Sequence, residues 1–287
     1  MESELYKKLC SILDELYEKT NLKRIKFTDE DIILTYMWAV IHDRPVNWAC
    51  QKKNWPLYYR RKQLPDPSTM SRRIRRDDVQ KLLCRIEMSL KNIKQRSVCR
   101  WIDAKGLLIS NCSSDKQAGY GYAGGGMGKG YKLYAIADKN QGFVQWMVRP
   151  MHHNEGTVAR ELIRQLEPEG YLVGDSAYDK NVLYDIAASK SVKLIAPKKI
   201  SKAKELGHRR HSIYRMENLE RINSKFYQSL IDGRSHIERM FGHLTNFCCG
   251  LTPLPGWVRG LFRVTNWVRA KLILYQIWRI YIAPEVT

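Results

Sequence analysis

The chain has 287 residues, 44% hydrophobic and 27% charged, the balance of a globular protein long enough for about two domains. Such a chain buries a core without help from metals or disulfides. Its 49 Lys and Arg against 29 Asp and Glu leave a net charge of +20, which calls for a polyanionic partner, nucleic acid ahead of an anionic membrane surface.

The first 13 residues mix Glu, Lys and apolar side chains and read as neither a secretory nor a transit leader. No stretch reaches the roughly 18 apolar residues of a membrane span. Cys10, Cys50, Cys84, Cys99, Cys112, Cys248 and Cys249 are scattered and contain no C-x-x-C pair, so they support neither a zinc site nor a disulfide framework. A reducing, cytoplasmic compartment is expected. Charge is unevenly spread: residues 51–100 carry a net +11, while 101–190 hold equal numbers of acids and bases. Residues 191–240 are basic again. A neutral, carboxylate-bearing block between two basic ones suits a site that holds cations while its flanks grip phosphates.

In chain order, residues 1–97 read as helical. Thr28 caps a helix with Asp31 three residues on, and Ile32, Ile33, Tyr36, Met37, Val40 and Ile41 keep helical spacing. Pro45 breaks it, and a short helix over 46–51 follows. From Ser68, Met70, Ile74, Val79, Leu82, Leu83, Ile86 and Leu90 predict one long helix. The first two turns of that helix display Arg72, Arg73, Arg75 and Arg76, which suit phosphate contacts as in a helix-turn-helix arrangement. A solvated surface helix would show the same pattern.

From residue 98 the pattern turns to strands. Strands are expected over 98–103, 106–110, 131–137 and 143–149, the last two joined as a hairpin. The glycine-rich stretch 119–130 fails as a phosphate loop, because Ala123 and Gly130 stand where Gly and Ser or Thr are required, and a flexible loop is expected. A helix near 158–166, a strand over 171–175, a helix over 181–189, a strand over 192–196 and then helices complete a mixed α/β order. Residues 256–283, with Arg259, Arg263, Arg269, Lys271 and Arg279, read as a basic amphipathic helix. Trp257, Trp267 and Trp278 there favour core packing over base stacking, and His152-His153 reads as a loop before a helix in preference to a metal site.

Three acids stand out. Asp103 ends the first strand, Asp175 ends a later one, and ligands of open α/β sheets gather at carboxyl ends of strands. Strands about 4.8 Å apart would let the two share a divalent cation. Glu238 sits on a late helix beside the stripe Ile237, Phe241, Leu244 and Cys248, with Arg234 one turn before it and Gly242 one turn after. Three carboxylates around two Mg²⁺ ions are what phosphodiester chemistry requires. Taken singly, each acid is as readily a helix cap or a solvated side chain.

The strings Trp101-Ile102-Asp103, Gly174-Asp175-Ser176-Ala177-Tyr178-Asp179 and Arg234-x-x-Ile237-Glu238-Arg239-x-Phe241-Gly242 resemble the three motifs of bacterial insertion-sequence DDE transposases. The stretch 64–73 is similar to the same family's N-terminal region, so the likeness spans most of the chain. The resemblance implies an N-terminal helical DNA-binding domain (1–97), an α/β catalytic domain with an RNase H-like mixed sheet flanked by helices (98–250), and a C-terminal amphipathic helix (251–287). It implies Asp103, Asp175 and Glu238 as catalytic, metal-binding residues for two Mg²⁺ ions, with Mn²⁺ as substitute. Lys132, in a pattern like the family's second strand, is implied as a DNA contact. The chain departs from the family at Thr245, where a Lys is common, and at Ile231, where a Tyr is. Phosphate clamping would then fall to Arg234, Arg239 or His243. The implied activity is cut-and-paste transposition on double-stranded DNA, at the element's terminal inverted repeats and in target DNA. It is pictured as a cytoplasmic, nucleoid-associated homodimer with no membrane partner. The competing readings are a transposase-derived DNA-binding protein that does not cut, and a structure-specific nuclease that does not join.

Overall fold

The computed structural model describes residues 1–16, 26–199, 210–246 and 250–283. The chain divides into two compact units, one of residues 1–93, 244–251 and 266–287, the other of 94–243 and 252–265.

The first unit is helical. Its N-terminal part comprises α1 (Glu2–Leu16), α2 (Asp29–Ile41), α3 (Val46–Ala49), α4 (Pro67–Arg73) and α5 (Asp77–Lys91). Thr28 caps α2 reciprocally. Its hydroxyl accepts from the Asp31 N–H at 3.1 Å, and the Asp31 carboxylate accepts from the Thr28 N–H at 2.8 Å. Every residue from Ile32 to Ile41 is buried, so α2 is the central helix of the unit.

The single long helix expected from Ser68 is two helices. Asp66, not Ser68, caps α4 by accepting from the Thr69 N–H at 2.9 Å, with Pro67 in the first turn. The chain then leaves helical geometry at Arg76, whose extended backbone starts α5, and Asp77 and Asp78 favour the new N-terminus. The arginines are therefore divided between the end of α4 and the connecting turn.

The second unit is built on a mixed sheet: β1 (Cys99–Leu108), β2 (Gly119–Ala123), β3 (Gly126–Asp138), β4 (Gly142–Pro150), β5 (Tyr171–Val173) and β6 (Lys193–Ile195). β3 pairs antiparallel with β4 on one edge and with β1 on the other, while β1, β5 and β6 run parallel. The spatial order β4-β3-β1-β5-β6, three antiparallel strands joined to two parallel ones, is the RNase H-like order the sequence implied. The segments 98–103 and 106–110 merge into one strand, because β1 holds continuous register with β3 from Arg100↔Asp138 to Leu108↔Gly130. The stretch 119–130 is a β-hairpin and not a flexible loop, with β2 extending the β3 ladder from Gly119↔Gly130 to Ala123↔Gly126.

Helices α6 (Glu155–Arg164) and α7 (Asn181–Ser189) cover one face of the sheet. Ile102, Tyr134 and Ile136 there pack with Val158, Leu162, Leu172, Leu183 and Tyr184 in one buried cluster. After β6 come α8 (Ile213–Arg221), α9 (Lys225–Asp232) and α10 (Ser235–Asn246). On the opposite face, Trp101 meets His236 at 5.3 Å between ring centroids and Phe143 meets Phe241 at 5.4 Å.

The last helix, α11 (Leu261–Ile277), continues into a π-helical turn over Trp278–Ile282. It is not the amphipathic surface helix expected at 251–287. Val264, Trp267, Val268, Ala270, Leu272, Ile273, Leu274, Tyr275 and Ile277 are buried on nearly every side. Arg263 is exposed, but two of the helix's basic residues are satisfied internally. Lys271 donates to the Val40 carbonyl at 3.1 Å and faces Asp43 at 3.4 Å, and Arg269 pairs with Glu87 at 3.2 Å. Cys248, expected on the buried stripe of α10, and Cys249 lie outside the described residues.

Candidate functional site

The acid site is assembled by the parallel pairing at the middle of the sheet. β1 and β5 run in register through Cys99↔Tyr171, Arg100↔Leu172 and Trp101↔Val173. β5 ends at Val173, and Asp175 follows two residues on, near enough to Asp103 for its charge to act on that carboxyl. Asp175 follows β5 in extended backbone and caps the 3-10 turn Ser176–Tyr178, accepting from the Ala177 N–H at 2.8 Å. Close packing behind it holds this turn: a Cβ on Gly174 would stand 2.8 Å from the Tyr178 ring and 3.0 Å from Ile102.

Asp103 is largely buried and accepts from the Ala104 N–H at 2.8 Å. Burial pushes its carboxyl above the ordinary range, and the nearby charges of Asp175 and Glu238 push the same way. The Ala104 N–H and Arg234 oppose them without cancelling the rise. Glu238, on the first turn of α10, is more than half exposed and pairs with Arg234 at 2.9 Å. The same guanidinium reaches Asp103 at 3.8 Å. One arginine therefore bridges an acid of the central strand and an acid of the late helix. Gly242, one turn beyond Glu238, has nothing within 4 Å of the place a Cβ would take, so the surface beside the carboxylate is open.

The candidate DNA contacts are placed differently. Arg72, Arg75 and Arg76 are exposed, with Arg76 paired to Asp78 at 3.0 Å. Arg73 is largely withdrawn into the helical unit, donating to Asp29 at 2.6 Å and to the Phe27 carbonyl at 3.0 Å. Arg239 is exposed on α10. Lys132 pairs in register with Gly106 and Asp103 with Ala135, so the two point to opposite faces. Lys132 instead binds Glu155 at the start of α6 at 2.7 Å. Of the tryptophans, Trp267 is buried and Trp257 is 42% exposed.

One functional support escaped the sequence reading. Asp179 is fully buried and receives two hydrogen bonds of 2.7 Å from Arg215 of α8, with a third from the Lys199 N–H at 2.9 Å. This clamp anchors the segment that carries Asp175. Asp179 stood in the quoted motif, but its partner is 36 residues away in an undifferentiated basic stretch.

Three hard carboxylate oxygens with an open flank match the donor chemistry of a divalent cation such as Mg²⁺. Among the described residues no three His, Cys, Asp or Glu stand close enough together to hold an ion, and Arg234 supplies the positive charge between Asp103 and Glu238. Asp103, Asp175 and Glu238 are the carboxylates here that could serve as such donors, and in this arrangement Glu238 is held by Arg234. Among the described residues no helix is long and apolar enough to cross a membrane.

The family model described as the transposase DDE domain matches residues 94–276. No curated protein matches the sequence. Among solved structures, the chain is similar to a piggyBac transposase in a cryo-EM synaptic complex with hairpin DNA, at 12% identity and a TM-score of 0.46, over 97% of this chain and 72% of that one.

Proposed function

This chain belongs to the transposase DDE-domain family, and from that premise we propose that it binds its element's inverted ends, cuts there and joins them to target DNA. The observation that carries the reading is that Arg234 pairs with both Asp103 and Glu238, while the charge of Asp175 also acts on Asp103.

Asp103 and Asp175 are the carboxylates that would hold a divalent ion, with Glu238 completing a second site. Bound there, Mg²⁺ or Mn²⁺ would activate the attacking oxygen and stabilise the leaving one. The protein's own part is positioning. The parallel pairing of β1 with β5 and the Asp179–Arg215 clamp would hold the segments that carry Asp103 and Asp175. Arg234 neutralises Asp103 and Glu238 in the present arrangement and is placed to turn to a phosphate when DNA enters. Arg239 adds positive charge on the same helix. Arg72, Arg75 and Arg76, exposed on the helical unit, supply sequence-independent grip on duplex backbone, whose affinity would fall steeply with salt. The reaction is hydrolysis that exposes a 3′-hydroxyl, followed by attack of that hydroxyl on target DNA, with no covalent link to the protein. Two ends held together imply a homodimer, and a DNA substrate implies a cytoplasmic, nucleoid-bound protein.

The test places the gene with its native flanking DNA on a plasmid and sequences excision products and new junctions. Junctions with the wild type that vanish with Glu238→Gln support the proposal. DNA binding with no junctions from either protein would favour a chain that binds without cutting.

A further inference from the structure

The hairpin of β2 and β3 alternates glycine with large side chains, and the two sets fall on opposite faces. The register pairs Tyr120 with Lys129 and Tyr122 with Met127, while Gly119, Gly121, Gly126, Gly128 and Gly130 take the other face. Apart from Gly126 at the tip, that glycine face is pressed against the body of the sheet. A Cβ on Gly121 would lie 2.6 Å from the Met151 carbonyl oxygen, and one on Gly128 the same distance from Leu108. Ala123 has room only because its neighbour on β1 is Gly106, where a Cβ would stand 2.7 Å from its own.

The outer face is left open. Tyr120 is 55% exposed, and Tyr122 and Met127 are each 69% exposed. Lys129 holds its ammonium 5.8 Å from the Tyr120 ring centre and donates to the Ser113 carbonyl at 2.6 Å. The nearby carboxylate, Asp115, is turned inward to the Tyr131 hydroxyl and the Gly260 N–H.

We propose that this ladder is a stacking platform for unpaired bases of a DNA strand. The inference rests on the transposase reading and adds a contact outside the acid site. A polyanion suits a lysine-bearing face on a chain of net charge +20. Tyrosine rings need base faces, and only an unpaired strand offers them, since a duplex presents its bases edge-on. Pinning by the glycine face leaves little backbone freedom to lose on binding. The platform lies over Gly106, three residues along β1 from Asp103 and therefore on the opposite face of the sheet from that acid.

The experiment measures anisotropy of fluorescein-labelled dT12 and of a labelled 20-base-pair duplex with the full chain. Tyr120→Ala/Tyr122→Ala is expected to bind dT12 about thirty-fold more weakly, the low end for two lost stacks. It should bind the duplex within about two-fold, and Tyr120→Phe/Tyr122→Phe should match the wild type on both, because the ring and not the hydroxyl stacks. Both rings are exposed, so an unchanged melting temperature checks that the variants fold. Equal dT12 binding by the alanine pair would overturn the proposal. So would an equal loss on the duplex, or a change from dimer to monomer in sedimentation, which would make the ladder a contact between copies. A wild type that never cuts DNA but still shows the dT12 difference would sink the transposase reading and leave the platform standing.

Discussion

Replacing Arg215 by Met should strongly destabilise the catalytic unit. The Asp179 side chain has no exposure and that of Arg215 only 12%, and both guanidinium bonds are 2.7 Å long. Removing one partner strands a buried carboxylate, a loss of about 3–5 kcal/mol. At about 2–4 °C per kcal/mol for a unit of this size, the melting temperature should fall by roughly 6–20 °C. The pH dependence identifies the cause. Burial alone would raise the Asp179 carboxyl, but the bonds from Arg215 and the Lys199 N–H, with the arginine's charge, outweigh it and hold the group below its usual range. A carboxyl lowered on folding adds stability above its unfolded value of about 4, and that stability is lost as pH falls through the lower folded value. The gap between wild type and Arg215→Met should therefore be widest at neutral pH and narrow under acid. Arg215→Lys should recover only part of it, because an ammonium cannot make the two-pronged contact. Thermal melts from pH 7 to pH 3, followed by near-ultraviolet dichroism, read all of this. A melting temperature for Arg215→Met within about 2 °C of wild type at pH 7, or a gap that does not change with pH, would refute the reasoning.

Further outcomes follow from single contacts. Asp103→Asn should lose cleavage yet melt higher than wild type at neutral pH in chelator. Burial penalises the charged carboxyl, whose raised folded value withdraws stability as pH climbs through it, so the advantage should vanish below about pH 4. Gly121→Ala should cost about 1–3 kcal/mol in urea unfolding, because its Cβ meets a backbone carbonyl; Gly124→Ala, with nothing within 4 Å, should be silent. Thr28→Ala should cost about 0.5–2 kcal/mol through the lost cap of α2, read by the same unfolding curves.

How much was legible in the sequence depended on how local the determinants were. The Thr28–Asp31 cap, the hairpin at 138–142 and the helix Asn181–Ser189 appear where spacing placed them, because each is decided within a few residues. Asp175 was legible as an acid following a strand, but Asp103, read as the end of the first strand, stands in the middle of β1, because the segments 98–103 and 106–110 form one strand. The hairpin at 119–130 was missed because its glycines read as freedom, whereas they answer to Met151 and Leu108, distant in sequence. The break at 74–76 was hidden by an apolar stripe that runs through it. Arginines and lysines on α11 suggested a wet face, but Lys271 and Arg269 are matched to Val40, Asp43 and Glu87, partners no periodicity reveals. Arg215 is one of many basic residues in its stretch and differs only by its bond to the distant Asp179.

The central claim is that Asp103, Asp175 and Glu238 act as one site, and cleavage of element-end DNA by each conservative variant tests it most directly. Asp103→Asn, Asp175→Asn and Glu238→Gln would be assayed singly and as a triple in Mg²⁺, with DNA binding measured in parallel. Groups that act as a unit are not additive. The account predicts that each single variant binds DNA but cuts no better than the triple. A single variant that keeps near wild-type cleavage would remove that residue from the site and contradict the account.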